Sequence, residues 1–210
     1  MMAKKGVFVW KSARIYKPLP LLNEKFQKRI VLNGYWQSEK YFSDVAEILR
    51  MELTPKEPLQ PQNEELYNKI KNTNSVCVTI RRGDFMNDKN KGTFYICDNT
   101  YFRNALSYIK KRLPDCTFFG FSDDIEWVKN NMEFPGEVYY ESGVDPVWEK
   151  LRLMSACKHF VLSNSSFSWW AQYLSNEKKK IVVAPDIWYK TGKHAKADLY
   201  QDDWKLIHIG

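Results

Sequence analysis

The amino-acid sequence predicts an α/β fold built on a doubly wound parallel sheet, and three observations carry that expectation. Short runs of β-forming residues alternate with helical periodicities between residues 64 and 185. The runs Val76–Ile80 and Cys116–Phe121 are apolar nearly throughout, which suits strands covered by helices on both faces. They then break into polar or charged residues, as buried strands do when they deliver ligand-binding groups to the carboxyl edge of an open sheet. No internal repeat and no low-complexity segment competes with this alternation.

Taken in order, residues 1 to about 62 read as irregular or partly helical, with prolines at 18, 20, 55, 58 and 61. Lys17-Pro18-Leu19-Pro20 begins a turn or extended piece. Asn33–Ser38 predicts a short strand and turn. Ser43–Arg50 opens on a cap candidate and continues with apolar residues at helical spacing. The Pro-, Gln- and Asn-rich segment 55–63 reads as a linker, dividing 1–62 from a doubly wound domain and its tail over 63–210. In that domain a short helix at 64–71 precedes the strand at 75–80, and 85–98 forms a polar loop. Asn99 or Thr100 caps an amphipathic helix whose Phe102, Ala105, Leu106, Ile109 and Leu113 share one face, and Pro114 stops it. A strand at 116–121, a helix to about residue 131 and a strand at 137–141 follow. The helix from 146 to 156 carries Val147, Leu151 and Met154 on one face. The strand at 159–162 leads into a helix that buries Phe167, Trp170, Ala171 and Leu174. Ile181–Ala184 closes the alternation before Pro185. The tail from Tyr189 to Gly210 packs Trp204, Leu206 and Ile207 on the body.

Composition narrows the class. The chain has 210 residues, 44% hydrophobic and 27% charged, enough for a real core and ordinary for a globular protein. No apolar run approaches the ~20 residues that span a bilayer. The basic N-terminus lacks the long apolar stretch and cleavage site of a signal peptide, so a cytoplasmic protein is expected. Cys77, Cys97, Cys116 and Cys157 are far apart and read as reduced structural thiols. The three histidines show no ligand spacing, and no metal site is expected. A net charge of +7 suits an anionic partner, whether nucleotide, nucleic acid or lipid.

Three strand ends carry the candidate chemistry. Arg81 and Arg82 offer two planar forks that grip a phosphate, with Gly83 to ease the backbone and Asp84 beside them. The competing reading is a solvated turn whose arginines pair with surface acids. Asp123 stands at capping-box spacing from Glu126, so it either caps a helix or accepts hydrogen bonds from a guanine edge or ribose. Asn164, Ser165 and Ser166 lie at a helix start, where free N–H groups and the helix dipole suit an anion, and where a capping role is equally compatible. There is no phosphate-cradling Gly-x-x-x-x-Gly-Lys-Ser/Thr and no Gly-x-Gly-x-x-Gly after a strand. The run Lys178–Lys180 is a solvated turn or a contact with an anionic membrane surface.

Arg81-Arg82-Gly83-Asp84-Phe85, Phe121-Ser122-Asp123-Asp124 and Ser163-Asn164-Ser165-Ser166-Phe167-Ser168-Trp169-Trp170 resemble three ordered motifs of the α-1,2-fucosyltransferases, glycosyltransferase family 11. Gly34–Phe42 resembles a fourth stretch. The resemblance implies transfer of L-fucose from GDP-fucose to the 2-hydroxyl of a galactose-terminated glycan in surface glycan or O-antigen synthesis. It implies inversion, no required metal and no nucleic-acid partner. It also implies a GT-B architecture in which 63–210 is the Rossmann-like donor-binding C-terminal half and 1–62 a remnant of the acceptor-side half. On that pattern Arg81 and Asp84 are the catalytic candidates, Asp84 as base. Arg81, Arg82, Gly83, Asp123, Asn164, Ser165 and Ser166 are the donor-binding candidates. The inner membrane face is the expected peripheral contact. Two features depart from the family: Thr79 stands where histidine is usual, and the family's Gly-rich opening loop is missing. A truncated, non-catalytic domain that binds a GDP-sugar or glycan is therefore the alternative.

Overall fold

The computed structural model describes residues 7–11, 29–83, 95–190 and 198–209. Its centre is a six-stranded sheet, parallel throughout. The strands are β3 (Asn74–Ile80), β4 (Cys116–Ser122), β5 (Val138–Tyr140), β6 (His159–Val161), β7 (Val182–Pro185) and β8 (Lys205–Ile207). Their spatial order is β5-β4-β3-β6-β7-β8. The chain thus builds outward from β3 in one direction, returns to β3, and builds outward in the other. That reversal lies between β3 and β6, and such a switch point opens a crevice above the carboxyl ends of the two strands. A separate parallel pair, β1 (Val7–Lys11) and β2 (Arg29–Asn33), precedes the sheet.

Side chains on β3 alternate between two cores, because successive strand residues point to opposite faces. Val76, Val78 and Ile80 pack with α3 (Asn99–Arg112) and α4 (Ile125–Asn131), while Cys77 packs with α5 (Val147–Ser155) and α6 (Ser166–Leu174). Ile70 of α2 (Glu64–Asn72) joins the second core. The doubly wound α/β expectation therefore holds. Gly120 lets β5 approach β4: a Cβ there would sit 2.8 Å from Cδ1 of Tyr140.

Several local expectations need correction. β8, β1 and β2 were not foreseen, and the strand expected at 33–38 is instead Arg29–Asn33, with bends after it. The helix expected from Ser43 begins as a 3-10 turn and becomes α1 (Ala46–Glu52), with Ile48 and Met51 exposed. On α5 the buried residues are Glu149, Leu153 and Met154, and Val147 is 68% exposed. The reason is that Glu149 turns inward to meet the 55–63 segment: its Oε1 accepts from Gln60 N–H at 3.0 Å and from Asn63 Nδ2 at 3.2 Å. On α6, Trp169, Ala171 and Tyr173 are buried, while Phe167 and Trp170 lie half-buried against them. In the tail Trp204 is buried, whereas Leu206 faces outward. Asp98, not Asn99 or Thr100, caps α3, accepting from Tyr101 N–H at 2.8 Å. All four cysteines are unbridged. The Lys17–Pro20 turn lies outside the described residues.

The stretch 37–42 is fastened to the tail and to α6. Lys40 pairs with Asp198 at 2.9 Å, the Tyr189 hydroxyl donates to Gln37 Oε1 at 3.1 Å, and Phe42 stacks on Trp170. Lys178 and Lys179 point outward, but the Lys180 ammonium donates to the Gln172 carbonyl at 2.6 Å. Burial pulls that ammonium down to about 8. Among the described residues no helix is long and apolar enough to cross a membrane.

Candidate active site

A cleft of ≈ 570 Å³ lies above the carboxyl edge of the sheet. The end of β3 contributes Thr79 and Arg81, the end of β4 contributes Ser122 and Asp123, and the β6–α6 junction contributes Ser163 to Ser168. Three strand ends that are far apart in sequence thus meet in one cavity, as the switch-point geometry requires.

The first wall is a turn organised around Asp123. Its Oδ2 pairs with Arg81 Nη1 at 2.8 Å, and its Oδ1 accepts from the Arg82 N–H at 2.9 Å. The Arg82 side chain leaves the cleft: its guanidinium carbon lies 3.4 Å from the Trp127 ring centroid, and its Nε sits 3.6 Å from Asp124 Oδ2. Gly83 lies against Asp123 rather than in the cavity lining. Asp84 lies outside the described residues. The helix cap expected of Asp123 falls to its neighbour, since Asp124 Oδ1 accepts from Trp127 N–H at 3.3 Å. A capping carboxylate must reach the N–H groups two and three residues ahead, and only Asp124 stands at that distance from α4.

The second wall is the start of α6. Ser165 occupies the cap position with extended backbone, yet its hydroxyl makes no capping bond. The first-turn N–H groups of a helix have no partners within it, so they remain available to a ligand at this mouth. Asn164 lines the cleft, is 1% exposed and grips the chain: its Nδ2 donates to the carbonyls of Tyr95 at 2.5 Å and Trp188 at 3.0 Å. Thr79 joins the two walls. Its hydroxyl oxygen accepts from Ser163 N–H at 3.0 Å and lies 3.4 Å from the Val161 carbonyl.

Sequence reasoning missed a third group. Glu141 follows β5, is 2% exposed, accepts from Ser122 N–H at 2.8 Å and pairs with Lys150 at 3.0 Å. Burial raises its carboxyl above the usual range, and the Lys150 contact works against that rise. Asp145 stands nearby, accepting from the Ser142 hydroxyl at 2.7 Å. The signal was an acid directly after a strand, and its weight depended on knowing that β5 flanks β4. Trp188, Tyr189, Tyr35 and Gln37 complete the mouth, and Trp36 adopts φ +46, a conformation uncommon for a bulky residue. Among the described residues no group of three His, Cys, Asp or Glu could hold a metal ion.

Comparison with known proteins adds an independent finding. The model of the family described as Glycosyl transferase family 11 matches residues 21–208. An alpha-1,2-colitosyltransferase of Escherichia coli is 33% identical over 193 residues, covering 89% of this chain and 65% of that protein. The O-antigen biosynthesis glycosyltransferase WbnK of Escherichia coli is 29% identical, covering 66% of this chain and 47% of its own length. Galactoside alpha-(1,2)-fucosyltransferase 1 of Homo sapiens is 26% identical, covering 69% of this chain. The chain spans 42% of that human protein. No solved structure matches the chain.

Proposed function

This chain belongs to glycosyl transferase family 11, and on that premise we propose that its cleft binds GDP-fucose and supports transfer of fucose to the 2-hydroxyl of a terminal galactoside. One observation carries the reading: Arg81 and the mouth of α6 line the same cavity at the switch point of the sheet. A diphosphate between them meets a guanidinium on one side and helix N–H groups with the Ser165 and Ser166 hydroxyls on the other.

The chemistry follows from where charge develops. As the carbon–oxygen bond to GDP breaks, negative charge grows on the leaving phosphate and positive charge on the sugar ring. Arg81 and the α6 mouth stabilise the first, and such preorganised donors act most strongly in the transition state. The acceptor hydroxyl attacks from the opposite face and gives its proton to a base, for which Asp84, next in the chain to this turn, is the candidate. Arg82, stacked on Trp127, supports the turn from behind.

The test is Arg81→Ala. GDP affinity measured by calorimetry should fall, and transfer should slow by ~100–1,000-fold, or about 3–4 kcal/mol. Unchanged GDP binding would overturn the phosphate role. A second reading of the transferred sugar comes from the colitosyltransferase relative, and assay with the corresponding colitosyl nucleotide beside GDP-fucose separates the two. Because the chain spans 65%, 47% and 42% of these relatives, transfer is measured with the chain alone and with the N-terminal half of a family member added. GDP binding with no transfer in either case favours a donor-binding domain without catalysis.

A further inference from the structure

The turn that carries Arg81 is held by one carboxylate, and its arrangement differs from that of a ligand-reading acid. The geometry points to Asp123 as a positioning residue that fixes Arg81 in the cleft without touching the donor, an inference that rests on the phosphate-binding reading of that arginine. Both Asp123 oxygens are engaged within the turn, Oδ1 by the Arg82 N–H at 2.9 Å and Oδ2 by Arg81 Nη1 at 2.8 Å. One rigid group therefore sets the backbone at residue 82 and the side chain at residue 81 together. A guanidinium on a flexible stem loses entropy when a ligand immobilises it, and fixing it beforehand removes part of that loss.

Gly83 supplies an independent observation. A Cβ at this position would lie 2.3 Å from Asp123 Oδ2 and 3.0 Å from its Cγ. The backbone of Gly83 does not lie in the positive-φ region. The requirement for glycine here comes from the carboxylate packed against it rather than from the dihedral angle. A side chain at residue 83 would push away the oxygen that holds Arg81.

The carboxylate charge and its geometry predict opposite results. If Asp123 acts mainly as a negative charge opposing the phosphate, Asp123→Asn tightens GDP. If it acts as a brace, Asp123→Asn weakens GDP roughly tenfold, the scale of a lost charge-assisted hydrogen bond. Calorimetry with GDP decides, with thermal unfolding recorded for each variant. The inference expects weakening by Asp123→Asn in the parent and no further weakening in an Arg81→Ala background. It also expects Gly83→Ala to weaken GDP in the parent but not in an Asp123→Ala background, where the obstructed oxygen is gone. Should Asp123→Asn fail to fold, Gly83→Ala carries the test alone: its loss of GDP affinity in the parent should vanish in the Arg81→Ala background. Unchanged or tighter binding by Asp123→Asn, or equal losses with and without Arg81, overturns the positioning role and leaves the phosphate reading standing. Parent-like binding by Arg81→Ala overturns both.

Discussion

His159 shows how much one ring can be committed by its neighbours. Its Nδ1 accepts from the Ile181 N–H at 3.0 Å, which leaves the proton on Nε2, donated to Asn74 Oδ1 at 3.0 Å. Burial lowers its pKa from 6.5. A depressed value means that the folded state holds fewer protons than the unfolded chain just below that pH. The stabilisation is therefore complete above about 6.5 and is lost as pH falls through the folded value. Thermal unfolding across this range should show a falling midpoint for the parent and a flatter profile for His159→Gln. The sequence placed His159 correctly in a strand but could not reveal its partners, because Asn74 and Ile181 reach it only once β6 lies beside β3 and β7. The same limit applies at residue 123, where capping-box spacing pointed to a role that Asp124 fills.

The elements were legible where their pattern was long and strong. α3 carries its apolar residues at helical spacing and buries Phe102, Ala105, Leu106 and Ile109 as that spacing demands. On the face expected of α5, Met154 is buried and Leu151 packs on the core, but Val147 is exposed and Glu149, an acid, is fully buried beside them. Its carboxylate receives two donors from the 55–63 segment and pairs with Arg152 at 2.9 Å, while Arg152 donates to the Glu57 carbonyl. Removing one partner of a buried pair strands the other, so Glu149→Ala should destabilise by about 3 kcal/mol in urea unfolding. Replacing both residues by apolar ones should cost less than the sum of the single changes. The segment read from its prolines as a linker is thus strapped to the sheet domain over part of its length.

For the molecule as a whole, alternation in the sequence was enough to predict the parallel sheet, and the three polar strand ends were enough to predict one crevice. Strand order was not legible, and with it went the part of the site beyond β5. Nor did the chain advertise β8, a three-residue strand with only Ile207 half-buried. Contacts between distant segments complete the architecture. Phe42 meets Trp169, Trp170 and Tyr173 at centroid distances of 6.1, 5.5 and 5.6 Å, fixing the 37–42 stretch to α6. Phe42→Ala should loosen that stretch while sparing the sheet. Hydrogen exchange is expected to rise at 37–42 and stay unchanged in β3 and β4, and uniform acceleration would contradict this.

The paired registers of β3 and β6 stop at Val78 and Val161, short of the cleft. Past that point the Thr79 side-chain oxygen links the two strand ends by taking the Ser163 N–H. Any widening between those ends has to break this contact, which sits in the lining of the cleft. A valine of the same outline would leave that buried N–H without its acceptor.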